Sequence, residues 1–326
     1  MQRSTIELSV VIPVYGCRDC LRVLHERLTR ALSELADSYE IVYVDDRSPD
    51  CAWQTLTELA ASDAHVRCVR LSRNFGQHAA ITAGLAKTSG RWVVVMDCDL
   101  QDPPEEIARL YRKAAEGYDV VFARRAGRRD APLRRMAARA YFGLLSVFFG
   151  TKLEGEYGTF SIISRKVVDA FLTLTDADRH YLFILNWLGF ENTSIEVAHA
   201  ERYAGGSSYT FSRLVQHAFD GLVFQTTKLL RWIVYVGFVV AVLGVLLAAF
   251  FTYSWAANSP YPGWTSLAVL LLVLGGFILL SLGVTGLYIG KIFGQVKMRP
   301  LYVVDEEQGG TREDGHRVAE DAVAAR

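Results

Sequence analysis

From Trp232 to Gly290 the chain contains no Asp, Glu, Lys or Arg. A charge near the middle of a bilayer helix costs about 2.5–3.5 kcal/mol on insertion scales, so a charge-free run of this length points to a membrane. Net charge is also absent: Lys and Arg total 35, and Asp and Glu total 35. That argues against a nucleic-acid binder, which is normally basic. The N-terminus lacks a signal-peptide pattern, because its apolar run, Leu8 to Val14, is short and holds Pro13. The N-terminal domain is therefore expected to stay in the cytosol. Cysteine is sparse, at five residues, which fits a reducing compartment. Cys17 and Cys20 form a lone C-x-x-C, but no second pair or nearby His completes a zinc set. Both are expected to be small, partly buried thiols. No internal repeat is visible.

What is present is a regular alternation. Apolar runs at 8–14, 39–44, 65–71, 92–96 and 118–123 read as strands. Between them, 20–36, 53–61, 76–88 and 103–116 carry apolar residues at helical spacing. Strand–helix alternation predicts an α/β fold, an open and mostly parallel sheet with helices on both faces. Ligands of such sheets sit beyond the carboxyl ends of the strands. Residues 126–228 are less regular: Arg128 to Arg139 is basic and Tyr141 to Phe149 apolar, which suggests an amphipathic helix at a membrane surface. Residues 211–231 predict a further interfacial amphipathic helix. Two membrane helices are expected, near Trp232–Phe251 and Leu267–Tyr288, within a hairpin over 232–290. Lys228, Arg231, Lys291, Lys297 and Arg299 flank the hairpin, so both of its ends are expected on the cytosolic side of the inner (plasma) membrane. The layout is thus a cytosolic domain over 1–210, the interfacial helix, the hairpin, and a cytosolic tail over 291–326. The polar tail after Val304 is expected to be disordered.

The chemistry concentrates at strand ends. Asp97-Cys98-Asp99-Leu100-Gln101-Asp102-Pro103-Pro104-Glu105 follows the strand over 92–96. A strand that ends in Asp-x-Asp points Asp97 and Asp99 the same way at its C-terminal edge, because side chains alternate with period two. Two clustered carboxylates repel unless a cation sits between them, so the natural occupant is Mg2+ or Mn2+ shared with phosphate oxygens. Asp45 and Asp46 close a second strand, where a carboxylate can accept the N3–H of uracil or hold ribose hydroxyls. Pro13-Val14-Tyr15 closes the first, and its tyrosine can stack on a base. Arg73-Asn74-Phe75-Gly76-Gln77 closes the third and opens a helix whose backbone donors can face phosphate.

Taken together, Val10 to Tyr15, Val44 to Ser48, Leu71 to Gly76 and Asp97 to Glu105 resemble the inverting family 2 glycosyltransferases of GT-A fold. The subgroup it is most similar to is the polyisoprenyl-phosphate glycosyltransferases. Gly286 to Lys291 and Val296 to Tyr302 resemble the end of that subgroup's second membrane helix. The resemblance implies a GT-A (Rossmann-like) domain and a nucleotide-sugar donor, UDP-linked, with polyprenyl (undecaprenyl) phosphate in a lipid bilayer as acceptor. It implies Asp97, Asp99 and Gln101 as ligands of Mg2+ or Mn2+, and Pro13, Tyr15, Asp45, Asp46, Asn74 and Asp97 around the nucleotide. It implies Asp99, Arg124, Arg135 and Arg202 as catalytic, with Gly205, Ser207 and Tyr209 on a loop over the site. Relatives suggest a homotetramer.

The chain departs from the pattern in three places. Gly16-Cys17 stands where Asn-Glu is usual, Ser208 replaces a lysine, and Tyr157-Gly158-Thr159-Phe160-Ser161 replaces a segment that often carries Asp-Phe-Arg. All three fall near the expected sugar and acceptor pockets. Alternatives stay open at this point: a family 2 enzyme acting on another lipid or glycan, or a non-catalytic membrane partner of a flippase or another transferase. GDP-mannose also remains open as donor.

Overall fold

The computed structural model describes residues 6–125, 157–176, 179–197, 228–257 and 263–310. The chain divides into two compact units: Met1–Asp130, Glu156–Gly206 and Arg299–Arg326 make one, and Ala131–Gly155 with Ser207–Met298 the other.

The first unit is built on an eight-stranded sheet. Its strands are β1 (Leu8–Val14), β2 (Tyr39–Asp45), β3 (Val66–Leu71), β4 (Trp92–Val95), β5 (Val120–Arg125), β6 (Tyr157–Ser164), β7 (Asn192–Val197) and β8 (Val304–Gly309). The spatial order is β7-β5-β6-β4-β1-β2-β3-β8. β6 and β8 run antiparallel to their neighbours and the remaining pairs are parallel. Every residue of β1 and β2 is buried, as strands covered on both faces must be. Along β1, Val10 and Ile12 face the layer formed by α1 (Arg18–Ser33), α2 (Ala52–Ser62) and α4 (Ile107–Ala114), through Leu21, Leu24, Leu28, Leu56 and Leu110. Val11 faces the other layer, formed by α3 (Gln77–Ala86), α5 (Arg165–Thr173) and α6 (Tyr181–Leu188), through Ile81, Leu85, Phe171 and Tyr181. α3 lies so close to the sheet that a Cβ on Gly84 would meet Val11 Cγ1 at 2.3 Å, which explains a glycine inside a helix.

The expected strands and helices over 8–123 are all present, with ends shifted by a few residues. β6, α5, α6 and β7 arise in the stretch that reads as less regular. The tail corrects an expectation: residues 304–309 are not disordered but form β8, antiparallel to β3. The reason is charge. Its acidic run meets basic side chains along the sheet edge, with Asp305 on Arg47 at 2.7 Å, Glu306 on Arg70 at 3.2 Å and Glu307 on Lys87 at 2.7 Å. Trp53 Nε1–H also donates to Glu306 at 3.2 Å.

The second unit contains α7 (Lys228–Ala257) and α8 (Trp264–Val296). Among the described residues one segment is long and apolar enough to cross a membrane, Val273–Val296, with a mean hydropathy of 1.9 and no burial. Ile233–Leu247 is a shorter apolar stretch. At about 1.5 Å per residue it covers about 22 Å, short of the roughly 30 Å hydrocarbon core. The expectation of two crossings is therefore met by one helix on length and hydropathy. The amphipathic stretch expected at 128–149, and most of the interfacial helix over 211–231, lie outside the described residues.

Candidate active site

β1 connects through α1 to β2 on one side, while β4 lies on its other side, so the crevice between β1 and β4 is the switch point where such sheets bind ligands. The strands part there: Met96 N–H donates to Val11 O at 3.1 Å, beyond the last paired residues Val11 and Val95. Pro13 follows on the same side of β1. Its missing N–H falls where β4 has already turned away, so no ladder bond is lost. Tyr15, 55% exposed, stands at the mouth.

Asp97, Cys98 and Asp99 follow the end of β4 and lie in a turn rather than on the strand. The period-two argument for their common direction does not apply. Other residues fix them instead. Gln77 Nε2 and Thr159 Oγ1 both donate to Asp97 Oδ1, at 2.7 and 2.8 Å. Gln101 N–H donates to Asp99 Oδ1 at 3.2 Å, and Leu100 takes a left-handed φ of 62°. Thr159 reaches Asp97 because β6 runs antiparallel to β4, which brings the start of β6 to the end of β4. Removing a hydrogen-bond donor from a metal-ligating carboxylate typically weakens metal binding at least tenfold. Thr159→Val should therefore weaken Mn2+ binding by about tenfold, with Thr159→Ser retaining it, as read by calorimetry in the presence of UDP.

Asp45 and Asp46 are both buried. Asp45 Oδ1 accepts the Ser48 N–H at 2.9 Å, and Arg70 Nε lies 3.4 Å from Oδ2. Asp46 accepts from backbone on both oxygens, Phe75 N–H at 2.7 Å and Gly76 N–H at 2.8 Å. It thereby clamps the turn between β3 and α3, where Gly76 adopts a φ of 96° that favours glycine. Asn74, in the same turn, is exposed. The β1 and β2 ends are tied together: Ser48 Oγ accepts Gly16 N–H at 2.7 Å, and Asp50 Oδ2 accepts Arg18 N–H at 2.8 Å.

Burial raises both Asp45 and Asp46 above the usual carboxylate range, against the opposing hydrogen bonds and the nearby Arg70 and Arg73. The folded carboxyls hold protons more tightly than the unfolded ones, whose value is about 4. Stability from this source is greatest below that value and falls as pH rises through the raised folded values. Asp45→Asn cannot ionise there. Its melting temperature should fall less between pH 4 and pH 7 than that of the wild type; an identical drop would refute the linkage.

Arg124 is the penultimate residue of β5, which runs parallel to β4, so it lies on the same sheet edge as the acidic turn and pairs with Glu196 of β7. Arg135, Arg202, Gly205, Ser207 and Tyr209 lie outside the described residues. Ser48, Gln77 and Thr159 fall within the motif segments but carried no expected role of their own, and Asp50 and Arg70 fall outside them. A cysteine expectation is corrected too. Cys17 is not a thiol but forms a disulfide with Cys98, while Cys20 and Cys68 are buried and outside any disulfide. Neighbouring positions in sequence suggested a C-x-x-C unit, whereas the fold brings in a partner 81 residues away. A cavity of about 470 Å³ at the opposite sheet edge, near Arg91, Tyr111 and Lys166, takes no part in this crevice.

The donor set offers hard oxygen atoms, and among the described residues no three His, Cys, Asp or Glu side chains gather as a metal cage. That fits Mg2+ or Mn2+, which is bound by one or two carboxylates and completes its shell with phosphate and water. Asp97 and Asp99, with Gln101, are the residues that would hold it.

An open α/β sheet with an acidic turn at its switch point matches the GT-A, Rossmann-like fold of nucleotide-sugar transferases. Residues 9–172 match the family described as Glycosyl transferase family 2. An uncharacterized glycosyltransferase of Bacillus subtilis, YkcC, is 34% identical over 306 residues, covering 93% of this chain and 95% of that one. The undecaprenyl-phosphate 4-deoxy-4-formamido-L-arabinose transferase of Proteus mirabilis is 38% identical over 312 residues, covering 93% and 94%. A crystal structure of Mycobacterium tuberculosis glucosyl-3-phosphoglycerate synthase with Mn2+, UDP and phosphoglyceric acid overlaps 67% of this chain and 76% of its own, at 17% identity and a TM-score of 0.49. The chain belongs to glycosyltransferase family 2.

Proposed function

We propose that the protein transfers a sugar from a nucleoside-diphosphate donor, UDP-linked, to polyprenyl phosphate, with inversion at the anomeric carbon. The acceptor reading is supported by the Proteus mirabilis relative, which is named for undecaprenyl phosphate and aligns over nearly the whole chain. The observation that carries the donor reading is the acidic turn at the switch point, with Asp97 held by Gln77 and Thr159.

In this reading Pro13, Tyr15, Asp45 and Asn74 bound the nucleoside side of the crevice, with the exposed Tyr15 ring against the base. Asp46 keeps the neighbouring turn in shape. Asp97, Asp99 and Gln101 face the diphosphate. When bound there, Mg2+ or Mn2+ supplies Lewis-acid neutralisation of the departing diphosphate. Arg124, Arg135 and Arg202 supply guanidinium groups for phosphate, whose planar fork suits bidentate contact. The acceptor phosphate is already an anion at neutral pH, so no strong general base is required. Catalysis then rests on holding that oxygen behind the anomeric carbon.

In this reading the apolar helices anchor the chain in a bilayer. We read α7 and α8 as a two-pass anchor in the inner membrane, with the sheet unit on the cytosolic side and Gly205, Ser207 and Tyr209 assigned to a loop over the site. β8 makes the end of the chain part of the catalytic unit. The test is direct: purified protein, a panel of radiolabelled nucleotide sugars, and undecaprenyl phosphate in detergent. A lipid-linked sugar with one donor supports the reading; no product with any donor overturns it.

A further inference from the structure

The C-x-x-C unit and the middle residue of the acidic motif are left unused by the reaction, yet they meet at its centre. Cys17 follows the exposed Tyr15 and Gly16 at the end of β1, and Cys98 separates Asp97 from Asp99. A disulfide joins them, with Cα atoms 6.4 Å apart and 81 residues between them in sequence. It spans the point where β1 and β4 part, just beyond their last backbone bond from Met96 to Val11. The two sides are held differently. The Cys17 side is fixed to the β2 end through Gly16 on Ser48 and Arg18 on Asp50, and it starts α1, with Cys20 N–H donating to Cys17 O at 3.0 Å. The Cys98 side carries the two carboxylates. The sulfur bridge therefore transmits the position of a well-anchored loop directly to the backbone between them.

We propose that Cys17–Cys98 is a reversible thiol–disulfide site whose state sets how firmly the acidic turn holds a dication–nucleoside diphosphate, a step that rests on the crevice reading above. The chemical partner is a dithiol. One of its thiolates attacks Cys17 Sγ, the bond to Cys98 breaks, and Cys98 leaves as a thiolate that takes up a proton. The second thiol of the reductant then attacks the mixed disulfide, releases Cys17 as a thiol and closes its own disulfide, so two electrons pass in total. Both cysteines are buried, and Cys17 is the sulfur attacked because Cys98 lies between carboxylates that repel an incoming thiolate. Re-oxidation is the reverse exchange with a disulfide oxidant. The bridged form is the preorganised one, because ligand geometry off by about 1 Å already costs binding.

The experiment divides protein prepared without reductant into two halves and treats one with dithiothreitol, which is then removed under anaerobic conditions. Denaturation and alkylation with iodoacetamide, followed by peptide mass analysis, reads the thiols. Cys17 and Cys98 should be alkylated only in the treated half, and Cys20, Cys51 and Cys68 in both. UDP binding with Mn2+, by calorimetry, should weaken about tenfold on reduction, the size expected when support of a metal ligand is lost. Hydrogen exchange over residues 13–20 and 96–102 should quicken in the treated half. The double variant Cys17→Ser/Cys98→Ser should bind like the reduced form and ignore dithiothreitol. Alkylation of Cys17 and Cys98 without reductant overturns the proposal, as do equal binding and equal exchange in the two halves. Absence of UDP binding in both halves overturns the crevice reading and the coupling with it, and the alkylation result still decides the disulfide on its own.

Discussion

Asp99→Asn lowers turnover by about 100- to 1000-fold, the scale seen when one group that stabilises developing charge is removed. The variant keeps the shape of the side chain, and its amide oxygen can still accept the Gln101 N–H that Asp99 accepts at 3.2 Å. What it loses is the second negative charge facing the donor diphosphate. Asp99 is partly exposed and the turn around it keeps its contacts, so the melting temperature should stay close to that of the wild type. Membrane extraction should be unchanged as well. The measurement is formation of lipid-linked sugar beside a thermal melt. Near-normal turnover would remove the cation from the mechanism, and a collapsed melt would make the loss structural. Chelation of the wild-type protein with EDTA should reproduce the effect, and added Mg2+ or Mn2+ should reverse it.

Ending the chain at Met298 produces the largest loss of stability. The cut leaves α8 whole and removes β8, whose residues pair with β3 from Arg67 to Leu71. Backbone ladder bonds contribute about 1 kcal/mol each, and several are lost together, so roughly 3–5 kcal/mol is at stake. The cut also strips Arg47, Arg70 and Lys87 of their acidic partners. β3 becomes an open edge, and open edges pair with other chains. The expected result is a lower melting temperature and higher-order species on size exclusion in detergent. A monodisperse truncated protein melting with the wild type would show that the edge strand is dispensable. Because Arg70 also lies beside Asp45, the truncated protein should bind UDP more weakly even where it stays folded.

Most of the sheet could be read before any coordinates, since buried parallel strands are continuous apolar runs and the helices between them carry leucines one turn apart. Leu8–Val14 and Leu21 to Leu32 are the clearest cases. β8 was illegible for the opposite reason: Val304-Asp305-Glu306-Glu307-Gln308-Gly309 has a single apolar residue, and its pairing depends on arginines and a lysine far away in sequence. The same holds at the site. Asp45, Asp46, Asp97 and Asp99 were visible because carboxylates at strand ends are chemically conspicuous. Gln77 and Thr159 were not, because a glutamine opening a helix and a threonine starting a strand look ordinary until the antiparallel course of β6 sets one beside the other. The pairing of Cys17 with Cys98 also depends on tertiary contact, and the nearer Cys20 misdirected the reading.

The catalytic sheet is discontinuous in the gene's order, for its last strand is encoded after the apolar helices. During synthesis the ribosome must deliver both helices before that edge can be sealed. A nascent chain cut short within them carries the acidic turn but an unfinished sheet. Complete assembly of the sheet therefore reports that both apolar helices have already been made.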